Sequence, residues 1–343
     1  MAEFVAHHAL KPYRLEQLYR AATRELAENL DAVTVLPRDM RAALAACGFA
    51  LESVEPVTLQ RSSDAQTTKG LFRLHDGSEV ESVLMEHWGG RTTVCISSQA
   101  GCAYACAFCS TGQAGFTRNL TAVEIFDQAR YFERELRARG KKITNVVFMG
   151  QGEPFANWDA VMGAVRLFND PLGFGLGHRH ITISTVGLVP QIRRFADEGS
   201  QVNLAISLHA PTDEQRARIM PVNRKYTVAE LMDACAYYVR KTNRKVFFEY
   251  VMLEGVNDDD GSALALGVLL QSRARLYHVN LIPYNVTPDA PLRGASEARI
   301  RGFQKVLDAA GVATTVRTPM GRDIAAACGQ LRAQTQPRAA VAG

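Results

Sequence analysis

From residue 93 onwards, short runs of β-branched and apolar residues alternate with longer stretches of helical periodicity, and this rhythm restricts the folds open to the chain. The strand-like runs are Thr93 to Ser97, Val146 to Met149, His180 to Ser184, Leu204 to Leu208, Val246 to Leu253, Val279 to Ile282 and Thr314 to Arg317. Between them lie helical patterns over Thr121 to Arg139, Trp158 to Asn169, Val189 to Glu198, Val228 to Lys241, Ser262 to Arg275 and Glu297 to Ala310. Alternation of this length implies parallel strands joined by crossover helices, and six or more such units predict an α/β fold built as a full or partial barrel. In a barrel the chemistry collects at the C-terminal strand ends. Cys102 to Cys109, Gly150 to Pro154, Ser184-Thr185, Ser207-Leu208-His209 and Asn285 all fall just after predicted strands, as that rule requires.

The first part of the chain has a different texture. Leu15, Leu18, Tyr19, Ala22, Leu26 and Leu30 recur at helical steps, Pro37 and Asp39 open a second short helix, and Val57 to Met85 reads as a small antiparallel meander. This divides the chain into an N-terminal accessory region, 1–90, a catalytic barrel, 91–332, and a low-complexity mobile tail, 333–343. Apolar residues make up 47% of the chain and charged residues 22%, which excludes a disordered or collagen-like protein. The longest apolar run, Ala263 to Leu270, is far short of the roughly 20 residues of a membrane span, and Met1 to Leu15 lacks a secretory pattern. A cytoplasmic protein without membrane contact is expected. The net charge of +4 identifies no partner, and the six basic residues between Arg130 and Lys142 read as a solvated helix face.

Seven cysteines, an odd number in a large chain without an export signal, argue against a disulfide framework and towards metal or catalysis. Cys102, Cys106 and Cys109 have the spacing C-x3-C-x2-C with no fourth cysteine nearby. Three close cysteines admit zinc, an iron–sulfur cluster or plain packing. Structural zinc normally closes with four protein ligands, whereas a [4Fe-4S] cluster on three thiolates keeps one iron open for a substrate. The loop position after the first barrel strand, followed by the βα rhythm, favours the cluster.

Beyond the cysteines, the sequence resembles the RlmN/Cfr family of RNA adenine methyltransferases within the radical S-adenosylmethionine superfamily. The resemblance is carried by Cys95-Ile96-Ser97-Ser98-Gln99-Ala100-Gly101-Cys102, Cys109-Ser110-Thr111-Gly112 and Gly115 to Leu120. It continues through Met149-Gly150-Gln151-Gly152-Glu153-Pro154, Ile206 to Pro211, Asn280 to Asn285 and Asp323 to Leu331, and so spans residues 10–332. The chain departs from the family pattern at Gln151, Val186 and Val286.

The resemblance implies a partial (βα)6 radical-SAM barrel, a [4Fe-4S] cluster on Cys102, Cys106 and Cys109, and S-adenosyl-L-methionine as cosubstrate. It implies two uses of that cosubstrate, one molecule methylating a protein cysteine and a second supplying a radical. Cys328 would carry the methyl group, Cys95 would resolve the covalent protein–RNA intermediate, and Glu81 would accept a proton. Gly152, Glu153, Ser184, Ser207, Leu208, His209 and Asn285 would line the cosubstrate site. Without the resemblance, Cys328 and Cys95 read as buried packing residues, Glu81 as a solubilising charge and His209 as a structural histidine. Cys47 and Cys235 match no family motif and are expected in the core. The implied substrate is an adenine of 23S ribosomal RNA at carbon 2, with transfer RNA as a further candidate and an electron donor such as flavodoxin as partner. The alternatives are carbon-8 methylation of the Cfr type and a zinc-stabilised RNA-binding module without catalysis.

Overall fold

In the computed structural model of the protein, residues 11–271, 275–287 and 290–331 are described. Twelve strands form: β1 (Val54–Arg61), β2 (Thr67–Leu74), β3 (Glu79–Glu86), β4 (Thr92–Cys95), β5 (Gln99–Gly101), β6 (Phe116–Asn119), β7 (Asn145–Phe148), β8 (Ile181–Thr185), β9 (Asn203–Ser207), β10 (Val246–Met252), β11 (Tyr277–Pro283) and β12 (Thr314–Val316). Ten of them make one sheet in the order β1-β2-β3-β4-β7-β8-β9-β10-β11-β12, and β5 pairs with β6 apart from it. Within the ten-stranded sheet every pairing from β4 to β12 is parallel, whereas β5 and β6 pair antiparallel. The crossovers carry α4 (Ala122–Arg137), α5 (Trp158–Asn169), α6 (Val189–Asp197), α8 (Val228–Thr242), α9 (Asp260–Gln271) and α10 (Glu297–Ala309), so the expected six βα units are present. The sheet runs from β1 at one edge to β12 at the other, which makes the barrel partial.

Alternate residues of each parallel strand meet the helices. Tyr250 packs on Phe303 at 5.2 Å between ring centroids and Phe148 on Phe168 at 6.5 Å, while Phe248 on the same face meets Tyr277 of the neighbouring strand β11 at 5.0 Å. The residues between them point the other way, into the barrel. Asn280 there donates to Glu249 at 2.8 Å.

The meander forms as expected, but it is continuous with the barrel sheet. β3 pairs antiparallel with β4, placing Val83 opposite Cys95. Ahead of it, α1 (Pro12–Thr23) and α2 (Arg38–Ala46) gather Leu18, Ala21, Leu30, Val33, Leu36, Leu44 and Leu51 into a small separate core. The first helix stops short of the periodicity: Leu26 takes a positive φ of 60°, and Leu30 lies in a short 3-10 turn capped by Asn29.

The basic segment also departs from its reading as a solvated face. Arg130 is buried, donates to the carbonyls of Leu51 and Ala27, and pairs with Asp127 and Glu52. Arg134 joins it by pairing with Glu28 and Glu52. The residues before β1 present backbone carbonyls and carboxylates to α4, so part of this basic face turns inward. Cys235 is buried as expected, whereas Cys47 is exposed because it caps the end of α2, a helix that buries only Leu44. The tail 333–343 and the last turn expected up to Arg275 reach outside the described residues.

Candidate active site

The loop that carries the three cysteines is framed by β5 and β6. A side chain at Gly101 would lie 2.0 Å from the Gly115 carbonyl, and that carbonyl accepts from Cys102 N at 2.7 Å. Only glycine permits this closure. Further on, Ala107 N donates to Ile219 O at 2.9 Å, tying the loop to α7 (Asp213–Ile219), and Cys109 opens α3 (Ser110–Ala114). Cys102, Cys106 and Cys109 are all thiols. Burial pushes the Cys102 thiol up to about 12, helped by the neighbouring Glu153 carboxylate and Cys109. Cys106 rises well above its ordinary range through burial and then through Cys109 and Cys102.

The loop after β7 brings Gly152 and Glu153 beside the cysteines. Gly152 has φ of +99°, and a Cβ there would lie 2.5 Å from the Gln99 side chain. Glu153 is buried, accepting from Phe155 N at 3.0 Å and Val186 N at 2.7 Å, and burial lifts its carboxyl to about 7. Ser184 and Ser207, near the ends of β8 and β9, are partly buried and share the inward face with Glu249. Leu208 contributes its backbone only: its side chain is in the core and its carbonyl accepts from Arg216.

His209 takes φ of +60°, and its ring meets Phe108, next to Cys109, at 4.6 Å. Because Nδ1 accepts from Val251 N at 3.0 Å, the proton must sit on Nε2. Burial, then the Arg216 charge, depress this imidazole to about 3, so it stays neutral.

The chain returns to the site in residues 321–331. Asn285 is buried and uses both ends of its amide on this segment, donating to Cys328 O at 3.1 Å and accepting from Arg322 at 2.7 Å. Ser110 N donates to Gly329 O at 2.8 Å, and Thr111 to Leu331 O at 2.6 Å, so the segment lies against the cysteine loop. Cys328 is exposed, and the protein atoms around it push its thiol up to about 12 through lost hydration; Glu249 and Cys109 add to the rise. Cys95, at the end of β4, is held at about 12 chiefly by burial and secondarily by Cys328.

Glu81 on β3 is buried, unlike a solubilising charge, and pairs with Lys69 at 3.1 Å; Lys69 also reaches the Ala325 carbonyl at 3.4 Å. The structure therefore brings the sequence-derived residues into one connected group. Sequence reasoning missed Lys69, Arg216, Glu249 and Arg317. Arg317 pairs with Glu249 at 3.6 Å and acts on Cys328. Inward alternation on β10 could have flagged Glu249, whereas nothing local marks Lys69 or Arg216.

A [4Fe-4S] cluster suits this donor set. The thiols are unoxidised, and Cys102 and Cys109 lie close enough to Cys106 to add to the burial that keeps it protonated. Two buried polar atoms nearby, Ser110 Oγ beside Cys109 and Gln151 Oε1 in the loop bonded to Ser97 and Ser98, have no protein partner. Among the described residues no three His, Cys, Asp or Glu side chains are gathered as one metal ion would require. A multi-iron cluster does not need its ligands to converge on one point.

A parallel sheet with thiols grouped at its C-terminal ends is the frame of a radical SAM enzyme, and the Radical SAM superfamily model matches residues 96–266. A radical SAM methyltransferase from Sphaerobacter thermophilus superposes with a TM-score of 0.93 at 48% identity, covering 97% of this chain and 96% of that one. Proteins named probable dual-specificity RNA methyltransferase RlmN from Chloroflexus aurantiacus and Symbiobacterium thermophilum are 48% and 46% identical. The alignments cover 93% and 98% of this chain and 86% and 90% of those proteins. The chain belongs to the RlmN family of the radical SAM superfamily, whose cofactors are a [4Fe-4S] cluster and S-adenosylmethionine.

Proposed function

We propose that the protein methylates carbon 2 of an adenine in 23S ribosomal RNA, and of transfer RNA, through a methylated Cys328. The observation that carries this reading is the grouping of two further thiols, Cys95 and Cys328, against the loop of Cys102, Cys106 and Cys109. A simple methyl transfer to a nucleophile needs none of them.

In this reading Cys102, Cys106 and Cys109 hold the cluster, which together with S-adenosylmethionine supplies single-electron chemistry when bound. Because burial keeps Cys102 and Cys106 protonated, loading it displaces protons. Gly152 and Glu153 meet the ammonium of the cosubstrate, and Ser184, Ser207, the Leu208 backbone, His209 and Asn285 orient the rest. His209 offers a fixed Nε2–H donor at every physiological pH. Cys328 receives the methyl group; loss of one hydrogen atom from it lets that carbon bond to the adenine, and Cys95 then breaks the sulfur–carbon bond by forming a disulfide with Cys328, the carbon taking a proton to become the product methyl. Glu81, kept beside Lys69, takes the proton that carbon 2 gives up. A cytoplasmic location suits the substrate, and an electron donor such as flavodoxin completes the cycle.

Two variants test the assignment. Cys328→Ala forms no adduct. Cys95→Ala is methylated on Cys328 and accumulates protein crosslinked to RNA. Both are expressed with cellular RNA, nuclease-digested and searched by mass spectrometry for a nucleotide-bearing peptide containing Cys328. Its absence from Cys95→Ala, or an adduct in Cys328→Ala, overturns the roles. A product nucleoside methylated at carbon 8 overturns the regiochemistry alone.

A further inference from the structure

Behind the cysteine loop lies a buried cation that the proposed chemistry does not use. Arg216, on α7, has no exposed surface. Its guanidinium donates to Leu208 O at 3.1 Å, Val186 O at 2.6 Å, Ser207 O at 3.1 Å and Asn223 Oδ1 at 3.0 Å. Every one of these acceptors is neutral. Asp213, the carboxylate that acts on it from further away, is occupied by Asn223 Nδ2 at 2.8 Å and Val228 N at 2.7 Å. Among the described residues Arg216 therefore has hydrogen bonds and no ion pair. A buried charge in that condition is normally unfavourable, because neutral carbonyls replace only part of its lost hydration.

The place of this cation suggests its partner. The C-terminal turn of α7 is bonded to the cysteine loop, Ile219 O accepting from Ala107 N at 2.9 Å immediately after Cys106. The guanidinium also holds the Leu208 carbonyl, one residue before His209, whose ring rests on Phe108 between Cys106 and Cys109. Arg216 is thus braced against the wall of the site whose other side carries the three thiols. Once Cys106 gives up its proton to a cluster, its thiolate and this charge attract each other across that wall.

We propose that Arg216 is a positioning residue that supplies the fixed counter-charge of the cluster and raises its reduction potential, while its fork sets the Val186, Ser207 and Leu208 carbonyls. The proposal rests on the assignment of Cys102, Cys106 and Cys109 as the cluster ligands. Three thiolates bring negative charge into a buried pocket, and reduction adds one more electron there. A cation that is held in place and keeps its proton at neutral pH, although burial lowers it to about 10, favours the reduced state in a low-dielectric surround. The same charge adds to the burial that keeps His209 neutral, so one residue serves both the cluster and the hydrogen-bonding wall.

The test is a potentiometric titration of the anaerobically reconstituted full-length protein, read by electron paramagnetic resonance. Arg216→Met removes the charge and keeps bulk, and Arg216→Gln removes the charge and keeps amide donors. In both, the ratio of reduced to oxidised cluster at the wild-type midpoint should fall about tenfold, a shift of ~59 mV. Arg216→Lys should stay near wild type at neutral pH, then lose potential as pH rises and the buried ammonium gives up its proton. Unchanged midpoints in Arg216→Met or Arg216→Gln at full iron content overturn the proposal. If neither folds, the lysine variant decides, and a pH-independent midpoint there overturns it. Full iron in Cys106→Ala would fault the ligand assignment instead, so the two failures are separable.

Discussion

Glu153 is the residue at which pH should be felt most directly. Its carboxyl stands at about 7 because burial disfavours the charge. A cosubstrate ammonium needs the ionised form, so S-adenosylmethionine affinity should fall about tenfold per unit below that value. Calorimetric titration with S-adenosylhomocysteine across the range checks this, and Glu153→Gln should bind weakly with a flat profile. The stability sign is the reverse of the usual carboxylate case. Between the ordinary value of 4.5 and about 7 the folded chain binds more protons than the unfolded one, so stability falls as pH rises through that window. His209 adds no limb to the binding profile, since it stays neutral down to about 3, but it opposes Glu153 in the stability profile: below 6.5 the unfolded imidazole takes a proton that the folded one refuses, so its contribution falls as pH drops.

At the scale of elements, periodicity revealed the barrel because each βα unit writes its own local pattern. The helix expected over Val228 to Lys241 forms over Val228–Thr242, with a capping box of Thr227 and Glu230. What escaped detection was either too short or non-local. β5 and β6 have three and four residues, too few for a period. α7 has seven, although Thr212 before Asp213 and Glu214 is a legible start signal. The inward turn of Arg130 depends on Leu51, which no helical pattern connects to it. Arg130→Met should consequently destabilise the fold by about 3 kcal/mol, since it strands Asp127 in a buried position. Denaturant melting measures that loss, and a change near zero would mean that Ser53, which bonds Asp127 through N and Oγ at 2.7 Å each, suffices for it.

For the molecule as a whole, the accessory region is two things joined in sequence. Residues 11–51 form the small helical core, whereas β1 to β3 extend the catalytic sheet and bring Glu81 and Lys69 to the site; of the accessory region 1–90, expected to recognise RNA, the helical core is the part we propose for that role. Removing residues 1–50 should therefore weaken RNA binding while the cluster is retained. Removing 1–90 should lose both, because β4 is left as a bare edge. Iron content and RNA filter binding on the two truncations separate these outcomes, and equal RNA affinity in the shorter truncation would count against the helical core as the RNA grip. The cysteine triad and Cys328 were both legible as motifs, but the bridge of Lys69 between Glu81 and Ala325 joins positions far apart in the chain and has no sequence signature.

The closure of the site by residues 321–331 also has a meaning for biogenesis. Translation makes the cysteine loop more than 200 residues before Gly329 and Leu331 arrive to bond Ser110 and Thr111. Until then the loop is open on that side to whatever machinery delivers iron and sulfide to a nascent chain. The stretch that covers it leaves the ribosome well after the loop does, so metal insertion has a window that the order of synthesis itself provides.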